Sequence, residues 1–143
     1  MQIRRAVNTD AAMIFELHKH DEAFEVSEDV RFYELDELLS WIESPNENIV
    51  LVAETSGKLV GFLFCKVMSW HWAALDNFYI APAFRGSFAL IRLMDELRSI
   101  LSEKGIYYLS TLVRSDDRKL LEICEKYGFK SEHSYVWLDK FLR

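Results

Sequence analysis

A strand-like segment that runs into the start of a helix is the part of this chain best suited to bind an anion. Residues 75–80 have the composition of a β-strand, and Arg85 and Gly86 form a turn before a long amphipathic helix. The first turn of a helix carries backbone N–H groups without partners, at the positive end of the helix dipole. Such a helix start often binds phosphate. The sequence therefore predicts an anion site where this strand meets the helix.

Two titratable side chains in and before this strand are candidates for a base. Asp76 lies on the strand beside Asn77, and since side chains alternate along a strand, only one of these two can face a given side. His71 lies between Trp70 and Trp72, and an imidazole changes its charge near neutral pH. Each residue also has a non-catalytic interpretation. Asp76 would then be a solvent-facing carboxylate, and His71 a turn histidine beside packed indoles.

Length and composition indicate one soluble domain that spans residues 1–143. Half of the residues are hydrophobic and 14% are aromatic, which is enough to bury a core without disulfides or metal. No apolar run approaches the roughly 20 residues of a membrane span, and the N-terminus lacks a signal-peptide core. The formal charge of −6 disfavours nucleic acid or an anionic membrane as a partner. Cys65 and Cys124 have no metal-ligand spacing, so free thiols in a cytoplasmic protein without metal are expected.

The order of the predicted elements indicates a mixed α/β sheet. Apolar runs favour strands, apolar residues at helical spacing favour helices, and the resulting order is β-α-α-β-β-β-α-β-α-β-β. The first half of the sheet is expected to be largely antiparallel, and the second half to contain a β-α-β crossover. The predicted strands are 2–7, 48–55, 59–68, 73–80, 106–113, 129–131 and 135–142, and the helices follow residue 10, begin near residue 30, occupy residues 90–104 and follow residue 117.

Four segments, in this order, resemble the GCN5-related N-acetyltransferase (GNAT) family of acetyl-CoA-dependent acyltransferases. They are the hairpin at 53–62 (Ala-Glu-Thr-Ser-Gly-Lys-Leu-Val-Gly-Phe), the strand at 75–82, the Arg85-Gly86 pair, and the end of the late helix at 125–129 (Glu-Lys-Tyr-Gly-Phe). The resemblance covers nearly the whole chain. It implies the acyl-CoA N-acyltransferase fold, a central mixed sheet of about six or seven strands with about four flanking helices. The sheet would splay between its fourth and fifth strands, residues 75–80 and 106–113.

The resemblance implies that acetyl-CoA is the cosubstrate and lies in the cleft between those two strands. Backbone groups of Phe78, Tyr79 and Ile80 would pair with the pantetheine arm as an added strand would. The pyrophosphate would lie on the backbone N–H groups of residues 85–90, which are Arg85, Gly86, Ser87, Phe88, Ala89 and Leu90.

Three positions, two in the loop and one in the late helix, depart from the family pattern. The family usually has glycine or alanine where this chain has Phe88 and Leu90, because a Cβ crowds the backbone against the phosphates. Backbone N–H groups are present whatever the side chain, so the loop can still bind an anion. Where many members have the tyrosine that protonates the departing CoA thiolate, this chain has Cys124, which is either that acid or an inert core cysteine. The alternative donors are Tyr107, Tyr108 and Tyr127.

The region of the first two helices is where the family builds part of its acceptor pocket. Residues 21–37 contain eight acids and one base, Arg31. This run would attract a cationic amine or basic peptide, or it is a solvated helix surface. Its aromatic residues would wall the acceptor or belong to the core, and they are Phe24, Phe32, Tyr33 and, just beyond, Trp41. The remaining histidines, His18, His20 and His133, are expected on the surface or on helix faces.

The resemblance thus predicts an N-acetyltransferase that moves an acetyl group directly to a primary amine of a small molecule or peptide. Asp76 or His71 would be the base, and Cys124 or Tyr127 the acid. A homodimer is expected from the family alone. The alternative is a catalytically inactive domain of the same fold that binds a ligand or protein partner, which the altered loop and the missing tyrosine favour.

Overall fold

A five-stranded mixed sheet organises the first part of the chain. The computed structural model describes residues 1–19, 21, 24–27 and 30–142, which fall into two compact units, Met1–Thr111 and Leu112–Arg143. The first unit contains the elements β1 (Gln2–Arg5), α1 (Ala11–His18), β2 (Glu25–Ser27), β3 (Val30–Arg31), α2 (Leu35–Ile42), β4 (Asn48–Thr55), β5 (Lys58–Val67), β6 (Trp72–Ile80), α3 (Ala89–Glu103) and β7 (Tyr108–Thr111). That the whole chain is one domain stays a prediction.

The strand order of the sheet is β1-β4-β5-β6-β7. The pairs from β1 to β6 are antiparallel, and β6 and β7 are parallel. A parallel pair needs a crossover connection, which α3 supplies. The predicted antiparallel first half and β-α-β second half are therefore confirmed. The two central strands are apolar on both faces because helices cover both, with residues 49–53 and 59–65 buried.

Helices α1 and α2 cover one face of the sheet, and α3 packs against the strands with a separate apolar stripe. The core on the α1 side is aromatic, and its buried members include Ile14, Phe24, Tyr33, Leu38, Val50, Val52, Phe62 and Phe64. The buried stripe of α3 consists of Ala89, Leu93, Leu97 and Leu101. Since side chains alternate along β4 and β5, Leu51 and Leu63 face away from the aromatic core.

The second helix begins later than predicted, because a small hairpin precedes it. Val30 and Arg31 form β3, which pairs antiparallel with β2. Glu34 is in an extended conformation and its N–H donates to the Glu37 carboxylate (2.9 Å), which is a capping box for a helix that starts at Leu35. His20 and three acids of the run at 21–37, Glu22, Glu28 and Asp29, lie outside the described residues.

The second unit has one helix in its described part, α4 (Arg118–Lys126). The Asp117 carboxylate accepts the Leu120 N–H (3.0 Å), so Asp117 caps the helix that was predicted to follow it. The strands predicted at 129–131 and 135–142 do not form, since residues 129–142 are neither helical nor part of a described sheet. Apolar alternation favours a strand, but a strand also requires a partner for its backbone groups. The central sheet accordingly has five strands, and β2 and β3 form a separate pair.

Among the described residues, no helix combines the length and apolar character needed to span a bilayer.

Candidate functional site

Strand β6 has neighbours on both sides over only its first half. Its parallel pairing with β7 runs from Trp72 opposite Tyr108 to Leu75 opposite Thr111. Its antiparallel pairing with β5 continues to Ile80. Within the described ranges, residues 76–80 therefore have a strand neighbour on one side only. The sheet opens after Leu75, which is where the expected splay between these strands lies.

The backbone groups on the open side of β6 belong to Phe78 and Ile80. Ala81 donates its N–H to the carbonyl of Val60 on the β5 side (2.9 Å). Alternate residues of an antiparallel strand direct their N–H and C=O groups toward the partner strand. Counting back from Ala81, Phe78 and Ile80 direct theirs away from β5. The open half of β6 thus has an edge at which an extended ligand can pair.

Two side chains of the protein itself bond to this open edge. The Phe78 N–H donates to Asn77 Oδ1 (2.9 Å), and Arg85 Nε donates to the Ile80 carbonyl (3.0 Å). The Arg85 guanidinium also lies 5.8 Å from the centre of the Tyr79 ring, a cation–π contact that helps to fix its direction. The Phe78 carbonyl and the Ile80 N–H remain as outward groups with no bond to any described residue.

Asp76 is the extra residue of a β-bulge at the point where the sheet opens. The register pairs Phe64 with Asn77 and Cys65 with Leu75, so Asp76 has no residue opposite it on β5. Bulges re-aim side chains and are frequent beside active sites. Because the bulge interrupts strict alternation, Asp76 and Asn77 are not required to face opposite sides of the strand, contrary to what the sequence had indicated.

Two titratable groups near the bulge have pKa values raised by burial. Burial raises the pKa of the Asp76 carboxyl, an effect that the positive charge of Lys66 opposes. A carboxylate with a raised pKa is a stronger base and better suited to take a proton near neutral pH. Burial, with the negative charge of Asp76, also raises the pKa of the Cys65 thiol to about 12. Cys65 is therefore a protonated, free thiol, as predicted.

A glycine allows β5 and β6 to approach closely beneath this edge. A Cβ on Gly61 would lie 2.8 Å from the backbone oxygen of Tyr79 and 2.7 Å from Ile80 Cδ1. Contacts this short with backbone atoms require the strands to move apart. Gly61 is thus needed for its small size, and it helps to set the position of the open half of β6.

The loop before α3 has three open N–H groups among the six predicted to hold a pyrophosphate. The bonded N–H groups, of Arg85, Ser87 and Ala89, donate to Pro82 O (3.3 Å), Phe84 O (3.1 Å) and Ser87 Oγ (3.2 Å). In the described structure the N–H groups without an acceptor are those of Gly86, Phe88 and Leu90. These donors alternate along the loop at the positive end of α3, an arrangement suited to an anion.

The backbone conformation of the loop requires a glycine at Gly86 but not at Phe88. Gly86 has φ of +82°, in the left-handed region that favours glycine, and a Cβ there would meet no atom within 4 Å. Phe88 has φ of −76°, which any residue adopts, and the residue is 74% exposed. The loop therefore needs glycine at Gly86 to fold, whereas Phe88 fits its backbone conformation and extends into solvent.

His71 is not brought to this site. It precedes β6, at the end opposite the loop, and the nine residues of β6 span about 30 Å. Its ring lies 4.4 Å from the ring of Trp70 and 5.8 Å from that of Tyr107, centre to centre, and its Nδ1 lies 3.2 Å from Ser69 Oγ. These contacts favour the alternative of a turn histidine. Tyr107 and Tyr108 lie at this same distant end.

Cys124 and Tyr127 lie on the second unit, at the end of α4. Burial, with the negative charge of Asp117, raises the pKa of the Cys124 thiol. Tyr127 is the C-cap residue and donates its N–H to the Cys124 carbonyl (3.0 Å). A protonated thiol is consistent with both an acid and an inert core cysteine. Their catalytic roles stay predictions.

One of the histidines expected on the surface or on a helix face lies on a helix face that is buried in the core. His18 is 2% exposed, on the buried side of α1. Its Nδ1 donates to the Ile14 carbonyl (2.6 Å), and its Nε2 accepts the Tyr33 hydroxyl. Burial lowers the pKa of His18, so the ring is neutral. Its spacing of four residues from Ile14 on the apolar stripe was the signal that indicated burial. His133 is exposed, as expected.

Stacked rings connect this histidine to the open half of β6. The Phe62 ring lies 5.2 Å from the His18 ring and is stacked on the Tyr79 ring at 5.5 Å. Phe24 contacts the same group, so Phe24 and Tyr33 belong to the core, which was one of the two alternatives for them. Among the described residues, no three His, Cys, Asp or Glu side chains group as a metal site.

Solved structures with the same fold include several acetyltransferases. The PaiA N-acetyltransferase of Thermoplasma acidophilum, in complex with coenzyme A, is 23% identical, with a TM-score of 0.82 over 94% of this chain and 92% of that chain. The aminoglycoside 6'-N-acetyltransferase AAC(6')-IG of Acinetobacter haemolyticus is 15% identical, with a TM-score of 0.81 over 100% of both chains. An aminoglycoside acetyltransferase from an uncultured soil metagenomic sample, meta-AAC0020, in complex with sisomicin, is 18% identical, with a TM-score of 0.77 over 99% and 96%.

At these identities the solved structures show the fold alone. No curated protein sequence matches the chain. The family assignment comes from residues 11–129, most of the chain, which match the Acetyltransferase (GNAT) family. The open half of β6, the loop and α3 all lie within that range. The protein therefore belongs to the GNAT family of acetyltransferases.

Proposed function

We propose that the protein is an N-acetyltransferase that uses acetyl-CoA and transfers the acetyl group directly to a primary amine of a small molecule or peptide. One observation carries this proposal. The open half of β6 ends in a loop with three alternating free N–H groups at Gly86, Phe88 and Leu90. A strand edge suits an extended arm with amide groups, and the loop suits phosphates. Coenzyme A has a pantetheine arm joined to a pyrophosphate, so it offers both partners in one molecule.

In the proposed reaction, Asp76 acts as the base. The acceptor amine must lose its extra proton before it can attack the thioester carbonyl, and Asp76 takes this proton directly or through a water. Its position at the bulge, next to the open edge, and its raised pKa support this role. The new N–C bond forms as the C–S bond breaks, and the nitrogen loses its second proton to water as the amide forms. The CoA thiolate takes one proton, so the overall reaction releases one proton when the amine starts as its ammonium form. Cys124 and Tyr127 are the proposed donors of the proton to the thiolate.

We infer a cationic acceptor from the charge near α2. Glu34, Asp36 and Glu37 are exposed at the start of this helix, within the acidic run seen in the sequence. Exposed carboxylates attract a positively charged amine through long-range electrostatics. Two of the solved structures with the same fold are aminoglycoside acetyltransferases, one of them in complex with sisomicin. The free thiols of Cys65 and Cys124 suit a reducing cytoplasm.

The second candidate is a domain of the same fold that binds a ligand without transfer. The residues that favour it are Phe88 and Leu90, which replace the small residues of the family loop, and Cys124, which replaces the family tyrosine.

One experiment separates these candidates. The full chain is incubated with acetyl-CoA and, in turn, with an aminoglycoside, a linear polyamine and a lysine-containing peptide, and release of the CoA thiol is followed with a thiol reagent. We expect at least one amine to raise the release rate above the amine-free rate, and Asp76→Asn to remove the increase. Binding of CoA without amine-dependent release would support the non-catalytic domain. Absence of CoA binding would contradict the transferase and would leave the domain that binds another ligand or a protein partner.

A further inference from the structure

The open edge of β6 is partly closed by the residue next to it. Of the outward N–H groups of Phe78 and Ile80, the first donates to Asn77 Oδ1 (2.9 Å), and the second has no acceptor among the described residues. Asn77 is half-buried and belongs to the segment that has no β7 neighbour. A side-chain amide oxygen therefore occupies the place of a carbonyl from an added strand.

The geometry points to Asn77 as an internal competitor for the ligand: its side-chain carbonyl holds the Phe78 N–H until a carbonyl of the bound cofactor displaces it. This inference rests on the proposed function, since it names the group that the cofactor arm must exchange. The exchange replaces one N–H···O=C bond by another. The ligand therefore gains less from this contact than it would from an unoccupied N–H.

A second side chain closes the other end of the same edge. Arg85 Nε donates to the Ile80 carbonyl (3.0 Å), so one donor and one acceptor of the open edge are occupied by side chains of the protein. An unpaired strand edge is a template for association with other chains, and natural proteins block such edges. The Asn77 contact thus protects the strand edge in the protein without ligand. It keeps the edge from pairing while leaving a bond that a ligand can replace.

The removal of the competing oxygen tests the inference. In Asn77→Ala no side-chain acceptor is left, and Asn77→Leu also lacks the acceptor but keeps the volume of the side chain. We expect both variants to bind free CoA about two- to tenfold more tightly than the natural protein, the range of one modest net hydrogen bond. Isothermal titration calorimetry on the full chain measures this, and thermal unfolding confirms that each variant is folded.

Amide hydrogen exchange gives a readout that does not depend on affinity. In the empty natural protein the Phe78 amide should exchange more slowly than in either variant, whereas the Ile80 amide should exchange at the same rate in all three. Addition of CoA should protect Phe78 in every form.

Two results would overturn the inference. One is a CoA affinity that is unchanged or weaker in both variants. The other is equal protection of the Phe78 N–H in the natural protein and in the variants that lack the Asn77 side-chain amide. If the natural protein binds no CoA, the proposed function fails, and the exchange comparison still tests the contact between Asn77 and Phe78. If Asn77→Ala does not fold, Asn77→Leu alone decides the result.

Discussion

The two halves of β6 differ in their surroundings although they are one continuous strand. Residues 72–75 lie between β5 and β7, and two side-chain bonds reinforce that pairing, from Trp72 Nε1 to Ser110 Oγ (2.8 Å) and from Thr111 Oγ1 to the Leu75 carbonyl (2.9 Å). Residues 76–80 have β5 on one side, and on the other side, among the described residues, the Asn77 and Arg85 side chains bond to the backbone. The boundary between the halves is the bulge at Asp76.

This difference shows how a sheet can provide both rigidity and a binding edge. The closed half, residues 72–75, uses its backbone groups to pair with strands on both sides. The open half keeps backbone groups for a ligand, and it is positioned from below by the close approach at Gly61 and the stack of Tyr79 on Phe62. Changes in the closed half should therefore affect stability, and changes in the open half should affect binding and rate.

The largest effect is expected for Asp76→Asn, at the boundary. If Asp76 is the base, kcat should fall by about 10²- to 10⁴-fold, the usual contribution of a positioned base. Steady-state kinetics with acetyl-CoA and an amine measures this. In the natural protein the rate should rise with pH through a pKa above the ordinary value for aspartate, because burial raises the pKa of Asp76 and only its ionised form accepts a proton.

Stability supplies the control for this variant. A carboxyl whose pKa is raised by folding stabilises the folded state below its ordinary pKa, and that contribution is lost as the pH rises through the raised pKa. At neutral pH the Asp76→Asn variant should therefore have a free energy of unfolding equal to or higher than that of the natural protein. An unchanged kcat, or a kcat that falls only in step with lost stability, contradicts the role of Asp76.

The next largest effect is expected for Gly61→Ala, which disturbs the close approach of β5 to the open half of β6. The added methyl group would collide with the Tyr79 carbonyl and Ile80 Cδ1, and we expect a loss of about 1–3 kcal/mol in the free energy of unfolding, as for overpacked cores. Urea denaturation measures this loss. CoA affinity should fall as well, because the edge moves.

Gly57→Ala is the matched control, at the turn between β4 and β5. Gly57 has φ of +76° and free space around it, so alanine there lowers stability through backbone strain alone. CoA affinity should stay unchanged in this control. If Gly61→Ala binds CoA as tightly as the natural protein, the close approach does not position the binding edge.

A smaller effect is expected for Thr111→Val in the closed half. The variant keeps the shape of the side chain but removes the bond to the Leu75 carbonyl, which should reduce the free energy of unfolding by about 0.5–1.5 kcal/mol. CoA affinity should not change, and Thr111→Ser, which keeps the hydroxyl, should recover most of the stability. A variant that keeps its stability but loses CoA affinity would show that the closed half also takes part in binding.

The smallest effect is expected for Phe88→Gly in the loop. The residue is 74% exposed and its N–H, not its side chain, is the proposed donor, so unfolding free energy should change by less than about 0.5 kcal/mol. Calorimetry should give a CoA affinity close to that of the natural protein. A tenfold tighter complex would show instead that the phenyl ring crowds the phosphates.

The sequence predicted the elements of the site better than their hydrogen bonds. The strand at 73–80, the hairpin before it and the helix after the loop follow from apolar periodicity and turn residues, and the structure contains them as β6, β4 with β5, and α3. Which N–H groups of the loop are open was not predictable, because it depends on the turn at 82–84 and on the Ser87 hydroxyl.

The features that local patterns do not determine depend on partners distant in the sequence. The bulge at Asp76 is defined by the register with β5, and the burial of His18 depends on Tyr33 and Phe62 closing over it. The strands expected after residue 128 illustrate the reverse case, in which local apolar alternation has no described partner strand. Local patterns predict periodicity, whereas register and burial are decided by the whole fold.

Titration of the full chain with CoA, followed by amide NMR, is the most direct test of the central claim. The account predicts saturable binding at about micromolar concentrations, within the usual range for enzyme substrates. Shifts should concentrate at Phe78 and Ile80 on the open half of β6 and at Gly86, Phe88 and Leu90 in the loop, and residues 72–75 should change little. No binding up to about millimolar CoA, or shifts concentrated in the closed half, would contradict the account.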